Sequence, residues 1–352
     1  MKKEESMKNN PEMLFARIAA DVLAHRKKKA QPDFVQPMLA TLTEDYFSKD
    51  TWIYEEKFDG VRCIVIKKNG NVQLISRNEH VMNSEYPHLV KAFERQAADN
   101  FIVDGEIVAM DVHGISDFQL LQGRINLKQL AKIKVRSKQT PIALYLFDVM
   151  YAGGYDVQNM PLLARKQVLK KLLSFNKTLV YTKHIVGDGI TYFKKICRMQ
   201  GEGVIAKRAE STYVNIRSAN WLKFKCIMKQ ELIIVGYTEP RGSREYFGAL
   251  LVGYYKDKKL MYAGKVGTGY TQKTLEILGK LLQKLEIKKC PLANYDESIN
   301  GVHWVKPKLV AEFQFAQWTS GGKLRVGRYK GLRDDKDAKD VVRERPKAIG
   351  PR

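Results

Sequence analysis

The segment that most restricts the fold is a strand–turn–strand pattern between residues 61 and 77. Apolar residues dominate "VRCIVIKK" and recur in "VQLISR", and an Asn-Gly pair at positions 69–70 separates the two stretches. Asn-Gly readily supplies the two left-handed backbone conformations that a type I′ hairpin turn requires. The sequence therefore predicts an antiparallel β-hairpin, which commits this part of the chain to a sheet.

Mixed strand and helix patterns surround this hairpin. Strand patterns occur at "TWIYEEK", "PIALYLFDVMY", "EGVIAKR" and "NWLKFKC", and "FIVDGEIVAMD" predicts two strands around a bulge at Asp104-Gly105. Helical spacing favours helices at "YPHLVKAFERQAA", "PLLARKQVLKKLLS" and "GITYFKKICRMQ", with Gly201 as the C′ residue of the last. An α+β domain of antiparallel sheets with helices is therefore predicted over residues 36–228.

The remainder of the chain predicts one further domain and two terminal segments. Residues 229–345 hold short strand patterns, glycine-rich turns and a single helical pattern, "TLEILGKLLQKL", which suit a small OB-fold β-barrel. Residues 1–35 form a basic N-terminal extension, in which "EMLFARIAADVLAH" predicts one short amphipathic helix and "HRKKKA" a flexible joint. Residues 346–352 are predicted to be a tail.

Charge is the strongest compositional signal. The chain of 352 residues has 61 Lys and Arg against 38 Asp and Glu, a net charge of +23. Such an excess indicates a polyanionic partner such as nucleic acid. No apolar run is long enough for a membrane span and no secretory leader is evident, so a cytoplasmic protein without a membrane partner is expected. The four cysteines lie far apart without a C-x-x-C pair, which predicts ordinary thiols rather than a disulfide or a zinc site.

One lysine in an unusual charged setting is the candidate for chemistry. Lys57 ends the strand pattern "TWIYEEK" and precedes an aspartate, a glycine and Arg62. A lysine is nucleophilic only as the neutral amine, and deprotonation at pH 7 ordinarily costs roughly 4–5 kcal/mol. Nearby cations, desolvation or a metal ion lower that cost. Glu106 and Glu202 are carboxylates of the kind that hold Mg²⁺, which also neutralises phosphate charge.

Short motifs follow one another in a specific order along the chain. They read KFDGVR, SRN, DGE, LFDV, EGVIAK, WLKFK and GLRDDK. Each motif is weak alone, but the ordered set resembles the covalent nucleotidyltransferases, and most closely the ATP-dependent DNA ligases, over about residues 36–345. The ending "FAQWTSGGKLRVGRYKGLRDDKDAKDV" is similar to the ligase module of bacterial end-joining ligases of the LigD type.

The resemblance implies roles for residues around the nucleotide. Lys57 would be the catalytic lysine that receives AMP, and Glu55 would recognise the adenine amino group. Arg62 would contact the ribose and help the nucleophile, and Arg77 would hold the ribose or phosphate region. Glu106 would bind a ribose hydroxyl or the metal.

The same resemblance implies roles further along the chain. Phe147 would stack on the adenine, and Glu202 would be a metal carboxylate. The residues expected to reach the phosphates are Lys207, Arg217, Lys223 and Lys225. The R-x-D-K element expected to orient the leaving pyrophosphate consists of Arg333, Asp335 and Lys336.

The resemblance also implies the substrates and leaves alternatives open. ATP would be the co-substrate, with Mg²⁺ or else Mn²⁺, and a monomer would seal nicked duplex DNA in repair or end joining, where a Ku-type end-binding protein is a compatible partner. An RNA ligase or an mRNA-capping guanylyltransferase also uses a K-x-D-G lysine. A non-catalytic OB-fold nucleic-acid-binding protein is the alternative of another class. An NAD⁺-dependent ligase is disfavoured because its cysteine zinc module is absent from the sequence.

Overall fold

The fold consists of two compact units that meet along the chain near residue 227. The computed structural model describes residues 10–122, 141–226 and 228–344, except positions 241, 243, 298, 300, 316 and 320. Unit 1 is described over residues 10–122 and 141–226, and unit 2 over residues 228–344. Each unit has a hydrophobic core of its own.

Two sheets form the framework of unit 1. Their strands are β1 (Lys27–Lys28), β2 (Leu39–Leu42), β3 (Lys49–Glu56), β4 (Val61–Lys68), β5 (Asn71–Ser76), β6 (Phe101–Ala109), β7 (Ile142–Ala152), β8 (Tyr155–Asp156), β9 (Leu179–Tyr181), β10 (His184–Gly187), β11 (Gly203–Arg208) and β12 (Arg217–Lys225). The first sheet has the order β1-β8-β7-β6-β4-β5, with β9 beside β7, and the second has the order β10-β3-β11-β12-β2. Most neighbouring strands run antiparallel, which confirms the predicted sheet type.

Helices cover the sheets of unit 1. They are α1 (Pro11–Leu14), α2 (Ala20–Leu23), α3 (Pro87–Glu94), α4 (Phe118–Gln122), α5 (Leu162–Leu172) and α6 (Gly189–Arg198). Buried residues of α3 and α5 join the core of the first sheet, whereas Phe193 and Ile196 of α6 pack with β3 and β11 of the second. The α+β prediction for this unit is confirmed. Within the described ranges, no helix has the length and apolar character that crossing a bilayer would require.

The predicted hairpin is present, and the next strand differs from its prediction. Asn69 (φ 51°) and Gly70 (φ 81°) both adopt the left-handed conformation, between Lys68 and Asn71, which pair with each other. "FIVDGEIVAMD" forms one strand, β6, rather than two. Its register against β7 shifts between Asp104 and Gly105, so the predicted bulge is confirmed, and a bulge bends a strand without ending it.

The N-terminal helix prediction is wrong in detail. The pattern predicted one helix, whereas the structure has two short ones, α1 and α2. Arg17, between them, has φ 62°, a left-handed conformation that interrupts helical hydrogen bonding. Leu14 and Phe15 are 1% and 3% exposed within the core of the first sheet, so packing overrides the helical periodicity.

The predicted flexible joint at residues 25–30 is an ordered edge of the first sheet. Lys27 and Lys28 form strand β1 against β8. The Arg26 guanidinium lies 4.6 Å from the ring centroids of both Phe15 and Tyr155. The buried Gln31 side chain donates to two main-chain carbonyls of the sheet, at 2.9 and 3.1 Å. Tertiary contacts, which the local composition does not encode, fix this segment.

Unit 2 is a β-sheet unit with one interposed α-helix in its described part. Its elements are β13 (Met228–Thr238), β14 (Leu250–Lys256), β15 (Lys259–Val266), α7 (Gln272–Gln283), β16 (Glu286–Ile287), β17 (Val302–Val305), β18 (Val310–Phe315), β19 (Gln317–Trp318), β20 (Leu324–Arg325), β21 (Arg328–Leu332) and a 3₁₀ turn (Ala338–Asp340). The long β13 pairs with β14 on one edge and with β17 and then β18 on the other. The β-rich prediction is confirmed. The described strands pair along an open path from β15 through β13 to β21, which suits the partly open barrel of the predicted OB-fold.

Helix α6 ends differently from its prediction. The left-handed residue after the helix is Gln200 (φ 64°), one position before Gly201, which was predicted to be there. The Gly201 amide donates to the carbonyl of Ile196, and a Cβ at Gly201 would lie 2.7 Å from the Ile196 side chain. Glycine is therefore needed here for space beside Ile196.

A disulfide joins Cys197 of α6 to Cys226, the residue after β12. The prediction that all four cysteines are ordinary thiols is wrong for this pair. The two residues lie 29 positions apart, and the contact of α6 with the second sheet brings their Cα atoms to 5.3 Å. Cys63 and Cys290 are free, as predicted.

We expect the disulfide to stabilise unit 1 appreciably. Closing a loop of this length restricts the unfolded chain, so Cys226→Ser should lower the free energy of unfolding by about 3 kcal/mol. Urea unfolding without reductant measures the change, and dithiothreitol should reproduce it in the wild type. Cys290→Ser is the control and should have little effect. Four alkylatable thiols in the unreduced, denatured protein would contradict the disulfide.

Candidate functional site

The site begins where β3 and β11 run antiparallel and bring Lys57 next to Glu202. Glu56 pairs with Val204, and the Lys57 amide donates to the carbonyl of Gly203 at 2.9 Å. The Lys57 ammonium forms an ion pair with the Glu202 carboxylate. The Lys57 side chain is 17% exposed, so it is largely buried but still reachable from solvent. The register of β3 against β11 therefore brings Lys57, the predicted nucleophile, to Glu202, a predicted metal ligand, although the two residues are distant in sequence.

Glu202 retains unused capacity to bind a cation. One carboxylate oxygen contacts Lys57, and the other, Oε2, is buried with no hydrogen-bond partner in the described part of the chain. Within the same residues, no three His, Cys, Asp or Glu side chains cluster as a complete metal site. Mg²⁺ commonly takes one or two carboxylates, with water and substrate phosphates completing its shell. The free oxygen of Glu202 thus fits the predicted Mg²⁺, with the remaining ligands supplied by water and substrate.

Two glycines allow the close backbone packing around Lys57. A Cβ on Gly60 would lie 2.2 Å from the carbonyl oxygen of Ile107 in β6. Gly203 has φ 150°, and a Cβ there would lie 2.0 Å from the carbonyl oxygen of Phe224. The glycines of KFDG and EGVIAK are thus needed for space and, at Gly203, for conformation.

Glu55 lies in a buried cluster with two lysines from other elements. Its carboxylate is 2% exposed and forms ion pairs with Lys166 of α5 and with Lys207 of β11, whose Nζ is 2.5 Å from Oε2. Lys166 and Lys207 are themselves 1% and 2% exposed. Two ammonium groups around one carboxylate leave one excess positive charge in a dry environment, which favours an anionic or electron-rich ligand.

The cluster shifts the ionisation of its members. Burial alone would raise the pKa of the Glu55 carboxyl, but Lys166 and Lys207 outweigh it, so this pKa lies below its ordinary value. Burial lowers the pKa of Lys207, although Glu55 partly opposes that effect. Glu55 is therefore ionised at neutral pH, and Lys207 gives up its proton more readily than a solvent-exposed lysine.

Arg62 is fixed by a bidentate ion pair across the first sheet. Its Nε and one terminal nitrogen contact the two Asp104 oxygens at 2.5 and 2.6 Å, and the Tyr213 hydroxyl donates to Asp104 at 2.6 Å. Burial alone would lower the pKa of Arg62, but Asp104 raises it above its ordinary value. Arg62 is thus a permanently charged cation in one fixed orientation.

Phe147 of β7 lies between cations and a second aromatic ring. Its ring is 8% exposed and contacts Trp221 edge-on at 6.1 Å. The Arg62 guanidinium lies 4.7 Å from the centre of the Phe147 ring, and the Lys207 ammonium lies 4.3 Å from it. A base that stacks on Phe147 must share this ring with those cations.

Three further predicted residues lie on strands that flank the site. Glu106 of β6 pairs with Arg62 of β4 across the first sheet. Lys223 and Lys225 of β12 pair with Ile205 and Gly203 of β11. The structure therefore brings Glu106 to Arg62, and the two lysines to the strand that begins beside Glu202.

The two remaining arginines predicted in unit 1 are placed less directly. Arg77 follows β5, whose last residue, Ser76, pairs with Cys63, the neighbour of Arg62. Arg217 at the start of β12 is exposed and donates to the carbonyl of Ala40 at 2.5 Å. Arg77 thus lies at the same end of the first sheet as Arg62, whereas Arg217 is engaged at the β2 edge of the second sheet.

The R-x-D-K element lies in unit 2, where Arg333 is engaged locally. Arg333 is 7% exposed and binds Asp335 through two hydrogen bonds of 2.8 Å. It also lies 3.7 Å from Glu231 and Glu312, which face each other across β13 and β18. Lys336 is 19% exposed and 3.6 Å from Glu231. Lys336 is thus the more accessible cation of the element.

Sequence reasoning missed Asp104, Lys166 and Trp221. Asp104 was assigned only to a bulge, although it orients Arg62, and Trp221 adds a second ring beside Lys207 at 4.0 Å. An acid in the middle of the apolar stretch "FIVDGEIV" was an available signal, because an acid is rarely buried without a partner. Lys166 carried no such signal, since lysines are ordinary in an amphipathic helix.

Comparison with known proteins identifies the family. A family described as "ATP dependent DNA ligase domain" matches residues 37–225, and one described as "ATP dependent DNA ligase C terminal region" matches residues 243–336. A lysine-centred site on this α+β unit, followed by a β-rich unit, is the arrangement expected of a covalent nucleotidyltransferase. The chain belongs to the ATP-dependent DNA ligase family.

Individual relatives agree with this assignment. The chain is 36% identical over 331 residues to the multifunctional non-homologous end joining protein LigD of Pseudomonas aeruginosa, covering 92% of this chain and 38% of that protein. It is 33% identical over 276 residues to a probable DNA ligase of Dictyoglomus turgidum, covering 74% of this chain and 47% of that protein. The chain thus spans less than half the length of these relatives.

A solved structure agrees over most of the chain. Mycobacterial DNA ligase D complexed with ATP and MES is 31% identical, with a TM-score of 0.62. The match covers 88% of this chain and 98% of that structure's chain. The fold of this chain is therefore similar to that of the solved DNA ligase D structure.

We expect Asp104→Asn to destabilise unit 1. The change leaves the largely buried Arg62 charge without its partner, which should lower the free energy of unfolding by roughly 3 kcal/mol. Urea unfolding followed by circular dichroism measures the loss. Asp33→Asn is the matched control, because Asp33 pairs with Lys68 at 2.7 Å in an exposed position and should matter little. Equal midpoints for the two variants would refute a supporting role for the Arg62–Asp104 pair.

Proposed function

We propose that this chain is an ATP-dependent DNA ligase that seals nicks in duplex DNA through an AMP adduct on Lys57. The observation that carries the proposal is the ion pair that holds the partly exposed Lys57 amine beside Glu202, within a family of ATP-dependent DNA ligases. The ligase structure that this chain resembles was solved with ATP, which supports ATP as the nucleotide.

The proposed reaction has three displacements at phosphorus. The Lys57 nitrogen attacks the α-phosphorus of ATP, and the bond to pyrophosphate breaks. The 5′-phosphate of a nick then attacks the same phosphorus, which breaks the P–N bond and returns the electron pair to the Lys57 nitrogen. Finally the 3′-hydroxyl attacks the 5′-phosphate, AMP leaves, and the strand is sealed. Such displacements need fixed positive charge more than acid–base groups.

Each residue is assigned a role in nucleotide binding according to its position in the structure. Arg62 is oriented by Asp104 and can contact the ribose side of the nucleotide, with Arg77 and Glu106 near the same end of the sheet. Phe147 would stack on the adenine, and Glu55 would accept from its amino group. The lysines proposed to contact the phosphates are Lys207, Lys223 and Lys225, with Arg217 joining them only after releasing Ala40.

The buried free oxygen of Glu202, with Glu106 as a second carboxylate, is proposed to hold Mg²⁺. A bound Mg²⁺ would neutralise charge on the phosphate oxygens. The charge excess of +23 suits a duplex DNA partner, whose binding would weaken with salt. The names of the end-joining relatives support a role in end joining or repair. The proposal includes a cytoplasmic location, a monomeric state and a Ku-type end-binding protein as partner.

The adenylylation step provides the direct test. The protein should become labelled by α-labelled ATP with Mg²⁺ in a denaturing gel, and Lys57→Ala should abolish the label because the nucleophile is gone. Lys57→Arg should also be inactive, since a guanidinium stays protonated. Lys49→Ala, an exposed lysine on the same β3 strand, is the control and should label normally. Label from GTP instead of ATP would favour a capping enzyme, and a lack of label would favour a binding protein.

The R-x-D-K element is proposed to act in the first step through Lys336. Arg333 and Asp335 would hold the element in shape, because both are engaged within unit 2. Lys336→Ala should slow formation of the Lys57–AMP adduct by about 10²-fold, the scale for loss of one charge-stabilising donor. It should spare sealing of a nick that already carries 5′-AMP, because pyrophosphate leaves only in the first step.

Paired single-turnover assays measure this effect, one starting from ATP and the other from pre-adenylylated nicked DNA. Lys339→Ala, whose lysine is largely exposed, serves as the control. Equal losses in both assays for Lys336→Ala would assign Lys336 to DNA binding or to the fold instead.

A further inference from the structure

Lys166 is one of the two buried lysines that contact Glu55, and it also has a main-chain hydrogen-bond partner. Its side chain is 1% exposed on α5, and its ammonium pairs with Glu55 and donates to the carbonyl of Thr182 at 3.1 Å. The same nitrogen lies 4.8 Å from the centre of the Tyr181 ring. Neighbours on three sides therefore fix Lys166 against the carboxylate.

Lys207 occupies a different environment around the same carboxylate. Besides the contact of 2.5 Å with Glu55, its ammonium lies over two aromatic rings, 4.3 Å from the centre of Phe147 and 4.0 Å from that of Trp221. Phe147 is the ring on which the base is proposed to stack. A base that stacks on this ring would compete with the Lys207 ammonium, and Lys207 would then turn from the ring towards the phosphates that it is proposed to contact.

Displacement of Lys207 changes the charge balance at Glu55. With both lysines in place the carboxylate has two cations, and when Lys207 turns away only Lys166 remains. A buried carboxylate without a cation takes up a proton, because low-dielectric surroundings disfavour the bare charge. Lys166 is therefore the group that can keep Glu55 ionised while the base is bound.

The protonation state of Glu55 decides which base it accepts. An ionised carboxylate only accepts hydrogen bonds, so it suits the 6-amino group of adenine and repels the 6-oxo oxygen of guanine. A protonated carboxyl can donate to that oxygen. Discrimination between adenine and guanine therefore depends on whether the Glu55 carboxyl group is protonated, and Lys166 keeps it unprotonated.

We propose that Lys166 is a positioning residue that makes the site select 6-aminopurine over 6-oxopurine nucleotides by holding Glu55 ionised and oriented. This inference rests on the proposed function, since it assumes that the base stacks on Phe147 and meets Glu55. It adds a specificity determinant on a helix that carries none of the predicted site residues.

The test compares Lys166→Met, Lys166→Arg and Lys170→Met in single-turnover labelling by ATP and by GTP. Lys170 is exposed on the same helix and should behave as wild type. Lys166→Met should weaken apparent ATP affinity about tenfold or more, the effect of losing a charged hydrogen bond at an essential acceptor. The maximal labelling rate of this variant should change much less than its ATP affinity. Its preference for ATP over GTP should decrease by a factor similar to the loss of ATP affinity. Lys166→Arg retains the charge and should restore part of the preference.

A double variant separates selection from folding. Glu55→Gln removes the carboxylate, so adding Lys166→Met to it should cause little further loss of ATP affinity if Lys166 acts through Glu55. Glu55→Gln and the double variant both leave Lys207 without its carboxylate partner, so the comparison of these two variants isolates the loss of Lys166. Thermal unfolding of every variant checks the fold.

The outcomes distinguish this inference from the proposed function. If wild-type protein acquires no label from ATP at Lys57, the ligase assignment fails. If wild type acquires label but folded Lys166→Met keeps the wild-type ATP-to-GTP ratio, the assignment stands and the inference is overturned. A further large loss in the Glu55→Gln background would likewise overturn it, because Lys166 would then act independently of Glu55.

Discussion

Unit 1 is organised by ion pairs that neutralise its most deeply buried carboxylates. Glu55, Asp104 and Asp148 are each at most 2% exposed, and an unmatched charge at any of them would cost several kcal/mol. Each one is neutralised from another element of the fold, and the cations are Lys166 and Lys207, Arg62, and Arg165, respectively. These ion pairs join strands and helices from different parts of the chain. The packing of the native fold therefore also fixes where the charged groups of the site lie.

This arrangement has a consequence for binding. Arg62 is held by Asp104 before the nucleotide arrives, so little ordering of this side chain remains to be done when the nucleotide binds. The same contacts mean that the ligand must compete with the protein's own partners, most clearly at the Phe147 ring, where Arg62 and Lys207 already lie. Affinity then depends on how well the nucleotide replaces those internal contacts.

Much of the local structure could be predicted from the sequence, because local signals carry it. The Asn69-Gly70 turn, the bulge at Gly105 and the predicted helices of unit 1 other than the N-terminal one follow from turn chemistry and periodicity. The motif order likewise indicated the lysine and the family. Partners across the fold were not predictable, since Lys166 and Asp104 gain their roles only through tertiary contact. The Cys197–Cys226 bridge was missed for the same reason.

The position of that bridge affects how mechanical tension would pass through the chain. Cys226 is the last described residue before unit 2 begins, so a pull along the chain from residue 228 reaches unit 1 at a residue that has a disulfide as well as a backbone connection. One leads back along β12, and the other crosses through sulfur to α6. The force is shared by these two connections. The end of β12 therefore cannot separate from β11 while α6 stays packed against the second sheet. The bridge therefore helps to keep Lys223 and Lys225 in register with β11 when force acts on the end of β12.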